Sequence, residues 1–382
     1  MTILDAARGL APRIAARAQE IEDARRLPID LVEAIARAGL FRMLVPKRLG
    51  GLELSPIEIV ETIEAVARAD ASAGWCVMIA ATSGMEAAYL PEPYAGEIFA
   101  DPVGVLGGVF APMGRAVREG DDYIVNGRWK WASGSQHCTW LAGGCVVIED
   151  GAQILRANGQ PDHRMMLFRA SEAELIDTWH VMGLKGTGSV DMAVRDVRVP
   201  IGRSVSLISD APIEQGPLYR FPAFGMLAMG IAAVACGNAL ASLEEFHAVA
   251  SSKRPAGGGR ALAERGVVQA EFARATASLG GARAFFVEAI GRAWETALRG
   301  AAIPIEARAE VRLGATSLVR TAAEVIRSVH DLAGGASVFL ESSLQRRFRD
   351  AHVATQHMMV GPATLELTGR VLFGLEADAS TL

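Results

Sequence analysis

The sequence predicts a mainly helical chain carrying one inserted β unit: a helical half, a sheet-forming stretch, and a second helical half. Two changes of hydrophobic period carry this. Apolar residues recur every three or four positions over residues 1 to about 90, and the spacing becomes alternating between about 100 and 205. From Phe221 onward long helical runs return. We therefore divide the chain into an N-terminal helical domain (1–100), a middle β domain (101–205) and a C-terminal helical bundle (206–382). A length of 382 residues supports two or three packed units rather than one small core.

In the first half Leu10, Ile14, Ala18 and Ile21 mark one helical face, and Leu31, Ile35 and Leu40 the next. Gly39 ends that second helix, and the apolar residues Phe41 to Pro46 read as a short extended piece. Gly50-Gly51 reads as a turn. Ser55-Pro56-Ile57-Glu58 is a helix start, with serine as cap and proline at the first position. That helix runs to about Arg68, and another begins near Asp70-Ala71-Ser72. In the middle, Tyr123-Ile124-Val125 leads into Asn126-Gly127, which reads as a tight hairpin turn. Further strands are expected at Trp129–Trp131, Leu141–Ile148, Met165–Phe168 and Met192–Pro200. In the last part, Phe221–Val249, Ala263–Leu298 and Ile305–Leu332 are long enough for an antiparallel bundle. Arg254 to Gly259 separates the first two, and Gly334-Gly335 breaks the bundle before the final helices.

Composition excludes several classes of function. A net charge of −5 gives no general basic field for nucleic acid, and no lysine-rich tract fits an anionic membrane. Phe221–Leu243 is uncharged and long enough to span a bilayer, but its prolines, glycines and many alanines read as a buried core helix. The first residues lack a secretory profile. Cys76, Cys138, Cys145 and Cys236 show neither CxxC spacing nor a metal-ligand pattern, so free thiols in a reducing, cytoplasmic setting are expected.

Specific motifs sit on this frame. Gly127-Arg128-Trp129-Lys130-Trp131-Ala132-Ser133-Gly134 resembles the flavin-contacting strand of the acyl-CoA dehydrogenase superfamily. Trp179 to Gly183, then Lys185-Gly186-Thr187-Gly188-Ser189-Val190-Asp191, resembles a second signature of the same β domain. Gly334-Gly335 through Arg349-Asp350 is similar to its C-terminal helix entry. The resemblance covers nearly the whole chain. It implies the acyl-CoA dehydrogenase fold, with a β-barrel-like middle domain and a C-terminal four-helix bundle, assembled as a homotetramer.

Dehydrogenases of the superfamily need a carboxylate to remove a substrate proton. The residue matching that base here is Met358, flanked by His357 and Met359, and no Asp or Glu occurs between Phe221 and Leu243. The other branch comprises the oxygenase components of two-component flavin monooxygenases, of the p-hydroxyphenylacetate and steroid-ring hydroxylase type. Its Trp-bearing strand ending in Ser-Gly and its late histidine are similar to Trp129–Gly134 and His357. That resemblance implies reduced FMN or FAD supplied by a separate NAD(P)H-dependent reductase, O2 as co-substrate, and transfer of one oxygen to a small aromatic or hydrophobic metabolite. Two other readings stand beside it: an acyl-CoA dehydrogenase-type FAD enzyme with a relocated base such as Glu366, and a flavin-fold subunit that binds or assembles without chemistry.

The resemblance also assigns roles. Ser133 contacts flavin N5 and His357 acts as acid/base, since a small hydroxyl approaches the ring closely and an imidazole exchanges protons near neutral pH. Trp75, Phe110, Ala111, Trp131, Gly134, Thr187, Ser189, Gly334 and Gly335 are placed around the cofactor, and Ser83, His357 and Met358 toward the substrate. Arg254 reads either as a flavin-phosphate contact or as a solvated loop charge. One departure stands out: the hydroxylases carry a histidine eight residues after the Trp matching Trp75, and here that position is Ser83.

Overall fold

A computed structural model describes residues 2–156, 158–254 and 260–382. The first helices are α1 (Ile3–Ala16), α2 (Ala18–Ala24), α3 (Ile29–Arg37), α4 (Pro56–Ala69), α5 (Ala71–Ser83) and α6 (Tyr94–Phe99). The start of α4 follows the expected chemistry: Ser55 caps the Glu58 amide, Glu58 reaches back to the Ser55 amide, and Pro56 opens the helix. Asp70 caps α5 by accepting from the Ala73 amide at 2.8 Å. Residues 41–46 are not extended. Leu40–Arg42 form a 3-10 turn after Gly39, and the buried Arg42 guanidinium collects the carbonyls of Leu49, Gly50, Phe99 and Asp101.

The middle of the chain holds strands β1 (Leu106–Glu119), β2 (Asp122–Ala132), β3 (Trp140–Glu149), β4 (Ala152–Gln153), β5 (His163–Arg169), β6 (Glu174–Ile176), β7 (Val190–Pro200) and β8 (Ser204–Val205). They form one sheet in the order β6-β7-β2-β1-β3-β5-β8, with β4 on β3. The expected barrel does not close, because the short strands β6 and β8 end the sheet without pairing with each other. Asn126-Gly127 is not the hairpin turn either. The chain reverses at Gly120-Asp121, between β1 and β2, while Asn126 sits at a bulge where the β2–β7 register shifts. The Asn126 side chain occupies that bulge, donating to Asp196 Oδ1 at 2.9 Å and accepting from the Asp196 amide at 3.0 Å.

Trp129 fills the centre of the sheet's core and donates to the Gly144 carbonyl at 2.7 Å. Its indole lies where a Cβ on Gly114, Gly127 or Gly143 would fall, at 2.3, 2.5 and 2.6 Å from ring atoms. Those three positions have room only for hydrogen.

The C-terminal part comprises α7 (Ala223–Ser252), α8 (Gly266–Leu298), α9 (Ile305–Ala333), α10 (Ser343–Ala354) and α11 (Pro362–Leu372). The bundle is thus three long helices closed by the shorter α10, with α11 packed on α9. Among the described residues α7 is the one helix long and apolar enough to cross a membrane, and 89% of its most apolar window is buried inside the protein. Of the expected Arg254–Gly259 separator, residues 255–259 lie outside the described residues. Helices α4, α5 and α7 approach closely at small residues. A Cβ on Gly74 of α5 would lie 2.6 Å from Ala67, and one on Gly230 of α7 would lie 2.4 Å from Met78. This contact brings α5 to the edge of the sheet, where the candidate site forms.

Gly143→Ala should lower stability by roughly 1–3 kcal/mol through overpacking. Much of that loss should return in a Trp129→Phe background. Urea unfolding of the two single variants and the double variant checks both.

Candidate active site

The β2 strand ends at Ala132, and Ser133-Gly134 turns the chain, with Gly134 at φ +73°. Ser133 is buried, and its hydroxyl meets two neighbours. Trp75 of α5 donates its indole N–H to Ser133 Oγ at 3.2 Å, and Ser133 Oγ lies 2.6 Å from Ser189 Oγ. Ser189 Oγ lies 2.6 Å from Thr187 Oγ1, which in turn donates to the Leu184 carbonyl at 2.7 Å. A carbonyl only accepts, so the direction of the chain follows from its far end. The Thr187 proton goes to Leu184, the Ser189 proton to Thr187, and the Ser133 proton to Ser189. Ser133 Oγ therefore keeps one lone pair beyond the bond from Trp75, available to an N–H donor. The same loop is tied to α10, since the Leu184 amide donates to Asp350 Oδ1 at 2.6 Å.

Around Ser133 the surface is open and aromatic. Trp131, two residues earlier, is 60% exposed and adopts φ +65°, an uncommon conformation for a tryptophan. Across from it, β1 leaves register with β3 between Val109 and Gly114, which frees the backbone of Phe110, Ala111, Pro112 and Met113 from that ladder. Phe110 is partly exposed and packs edge-on against Phe224 at the start of α7, with centroids 4.7 Å apart. A hydroxyl acceptor, a free aromatic face and a backbone stretch out of register with the neighbouring strand fit a planar heterocycle with N–H and carbonyl edges, as an isoalloxazine has.

His357 is not on a helix. It follows α10 and caps a 3-10 turn, Met358–Val360, by accepting the Met359 amide at Nδ1, 3.2 Å away. With Nδ1 accepting, the proton of the neutral ring sits on Nε2. The ring meets Trp75 edge-on, with centroids 5.8 Å apart. Burial, helped by the nearby Arg312 cation, pushes its pKa down to about 4. At neutral pH the ring is therefore an uncharged hydrogen-bond donor rather than an imidazolium. Arg312 was not visible as a site residue in the sequence. It is buried on α9 and donates to the carbonyls of Met359 and Thr381, so it fixes the turn that carries His357. Met358 is 71% exposed, and Glu366 is exposed on α11, outside the Trp75–Ser133 group.

The structure thus joins Trp75, Ser133, Thr187, Ser189 and His357, with Thr187 and Ser189 buried behind Ser133. Ser83 is partly exposed on α5, eight residues from Trp75. Three predicted residues lie elsewhere. Arg254, Gly334 and Gly335 are exposed at the far end of the bundle, where Lys253 Nζ donates to the Ala333 carbonyl at 2.5 Å. The α7 helix separates that end from Phe224 by about 43 Å at 1.5 Å per residue. The basic run on α10 makes internal pairs: Arg347 with Glu245, and Arg349 with Glu22. His352 bonds the Phe348 carbonyl at 2.8 Å, a local helix contact.

Residues 2–91 match the family "Acyl-CoA dehydrogenase, N-terminal domain", and residues 229–362 match "Acyl-CoA dehydrogenase, C-terminal domain". An indole-3-acetate monooxygenase of Pseudomonas putida is 37% identical, with 94% of this chain and 90% of that protein aligned. The crystal structure of the HsaA monooxygenase from M. tuberculosis superposes with a TM-score of 0.92 at 28% identity, covering 100% of this chain and 99% of that one. XiaF from Streptomyces sp., solved with FADH2 and glycerol, gives a TM-score of 0.89 at 26% identity, covering 98% and 95%.

In a histidine NMR titration the His357 ring should stay neutral until pH falls to about 4, and Arg312→Met, which removes a neighbouring cation, should move that titration upward. The folded pKa lies below the ordinary imidazole value of 6.5, so this group's contribution to stability is complete above about 6.5 and is lost as pH falls toward 4. His357→Asn should flatten the pH dependence of unfolding in that window, by up to about 3 kcal/mol.

Proposed function

The chain belongs to the acyl-CoA dehydrogenase superfamily, in its flavin-dependent monooxygenase branch, and we propose that it is an oxygenase component that inserts one atom of O2 into a small aromatic metabolite. An indole-type acid is the first candidate substrate, given the likeness to an indole-3-acetate monooxygenase. Reduced FMN or FAD arrives from a separate NAD(P)H-dependent reductase and supplies the oxygen-activating chemistry when bound.

The observation that carries this reading is the direction of the Trp75–Ser133–Ser189–Thr187–Leu184 chain. It leaves Ser133 Oγ as an acceptor for the N5–H that a reduced flavin carries and an oxidised one lacks. Trp131 and Phe110 would hold the ring, and the backbone of Phe110–Ala111 would meet its polar edge. His357 offers Nε2–H beside Trp75, where it orients the reacting oxygen or the substrate by a hydrogen bond. Among the described residues no carboxylate contacts Trp75, Ser133 or His357, and Asp350 meets only the Leu184 amide at the far end of the run, so nothing beside Ser133 takes the part of a dehydrogenase's proton acceptor. Glu366, exposed on α11, supports no such role.

The same geometry supports a proposal about assembly. Arg254, Gly334 and Gly335 cannot reach the Ser133 site of their own chain across the length of α7. Beside the two glycines Val338, Phe339 and Leu340 are exposed by 65%, 63% and 76%. We assign this end to a subunit interface of a homotetramer, where it completes a neighbour's flavin site. The division into 1–100, 101–205 and 206–382 belongs to the same reading, with the flavin held between parts. A cytoplasmic location fits four cysteines that are all free thiols.

Rapid mixing of reduced flavin and protein with oxygenated buffer should give a long-lived absorbance distinct from both reduced and oxidised flavin, and with substrate a hydroxylated product. Ser133→Ala should shift the ratio of product to hydrogen peroxide by about tenfold toward peroxide, the loss of one well-placed hydrogen bond. His357→Ala should lower product formation with flavin affinity retained. Immediate reoxidation with no transient, and no product from any aromatic compound, would sink the oxygenase reading. Phe339→Asp should split the assembly in light scattering and weaken flavin binding by about tenfold or more.

A further inference from the structure

The segment Ala71–Leu90 is buried throughout except at Ile79, Thr82, Ser83 and Tyr89. Trp75, Ile79 and Ser83 follow one another at four-residue spacing, so one face of α5 runs from the Ser133 site to a partly open stretch. After Ser83 the chain tightens into a 3-10 turn, Gly84–Ala88. In that geometry residues three apart eclipse, which sets Glu86 over Ser83 at roughly 6 Å along the axis.

Glu86 is 4% exposed, and its Oε2 is sealed from solvent with no hydrogen-bond partner. Burial alone pushes its pKa up to about 8, with no charged group contributing. A buried carboxyl oxygen without a partner is costly to keep. The Ser83 hydroxyl, the other polar group of this turn, has no partner among the described residues either. Thr82, by contrast, spends its hydroxyl on the Met78 carbonyl at 2.8 Å.

We infer that Ser83 and Glu86 form a polar subsite that takes a hydrogen-bond-donating ring substituent, N–H or O–H, of the aromatic substrate. Glu86 is the acceptor and Ser83 its neighbour on the same face. This rests on the oxygenase reading and deepens it, by naming the group that would hold the polar atom of the substrate. Accepting a hydrogen bond from the ring N–H or O–H raises electron density in the ring, which favours attack on an electrophilic oxygen.

The test uses the flavin-loaded protein and two probes, indole-3-acetate and its 1-methyl analogue, with affinities from calorimetry. Wild-type protein should prefer the N–H compound by about tenfold or more, because the methylated one leaves a buried acceptor unpaired. Glu86→Leu should abolish that preference, and Glu86→Gln, whose amide carbonyl still accepts, should keep it. Equal binding of both probes by wild type, or an unchanged preference in Glu86→Leu, overturns the subsite. If Glu86→Leu does not fold, the pH series decides. Above pH 8 Glu86 ionises and accepts more strongly, so the wild-type preference should rise while that of Glu86→Gln stays flat. A flat response in both overturns the proposal. Failure of the oxygenase reading looks different: reduced flavin then yields only hydrogen peroxide with every aromatic compound, whatever the binding ratio.

Discussion

The site depends on one run of hydrogen bonds whose direction is imposed from its end. Leu184 offers a carbonyl that can only accept, and each hydroxyl upstream must therefore point its proton toward it. The consequence reaches Ser133, which is left with an outward lone pair next to the indole N–H of Trp75. Because Leu184 is itself held by Asp350, the run connects β2, β7, α5 and α10. Each bond in such a chain polarises the next, so the arrangement is stiffer than isolated pairs would be.

Close approach of helices makes that run possible. Trp75 reaches Ser133 because α5 lies almost in backbone contact with α4 at Gly74 and seats its Met78 side chain on α7 at Gly230. In the sheet the logic is reversed, since three glycines clear space for one large ring, Trp129, which then occupies the core. The alanine- and glycine-rich composition thus serves two separate ends: backbones that touch, and a cavity shaped for a single indole.

Burial sets the charge of several groups around the site. Burial holds His357 neutral and keeps Glu86 protonated up to about pH 8. Asp350 is likewise raised, to about 7, by burial and by the neighbouring Asp70. His357 and Glu86 would ionise more readily in water; here burial disfavours their charged forms and leaves them to act through hydrogen bonds, while Arg312 stays a buried cation beside His357.

Much of this was legible in the residues. The change of hydrophobic period located the β unit, the Ser55-Pro56-Glu58 signal started α4, and Trp129–Gly134 with Thr187–Ser189 marked both ends of the hydroxyl run. These are local signals, carried by neighbouring residues and by side-chain periodicity. Asn126-Gly127 misled because a turn dipeptide also suits a bulge, and only the pairing partner Asp196 distinguishes the two. Phe41–Pro46 misled because Arg42 needed a curl of carbonyls from distant residues. The direction of the Ser133 proton, the neutral state of His357 and the isolation of Glu86 were decided by tertiary structure alone. Each depends on which groups, far apart along the chain, surround an atom and exclude water from it.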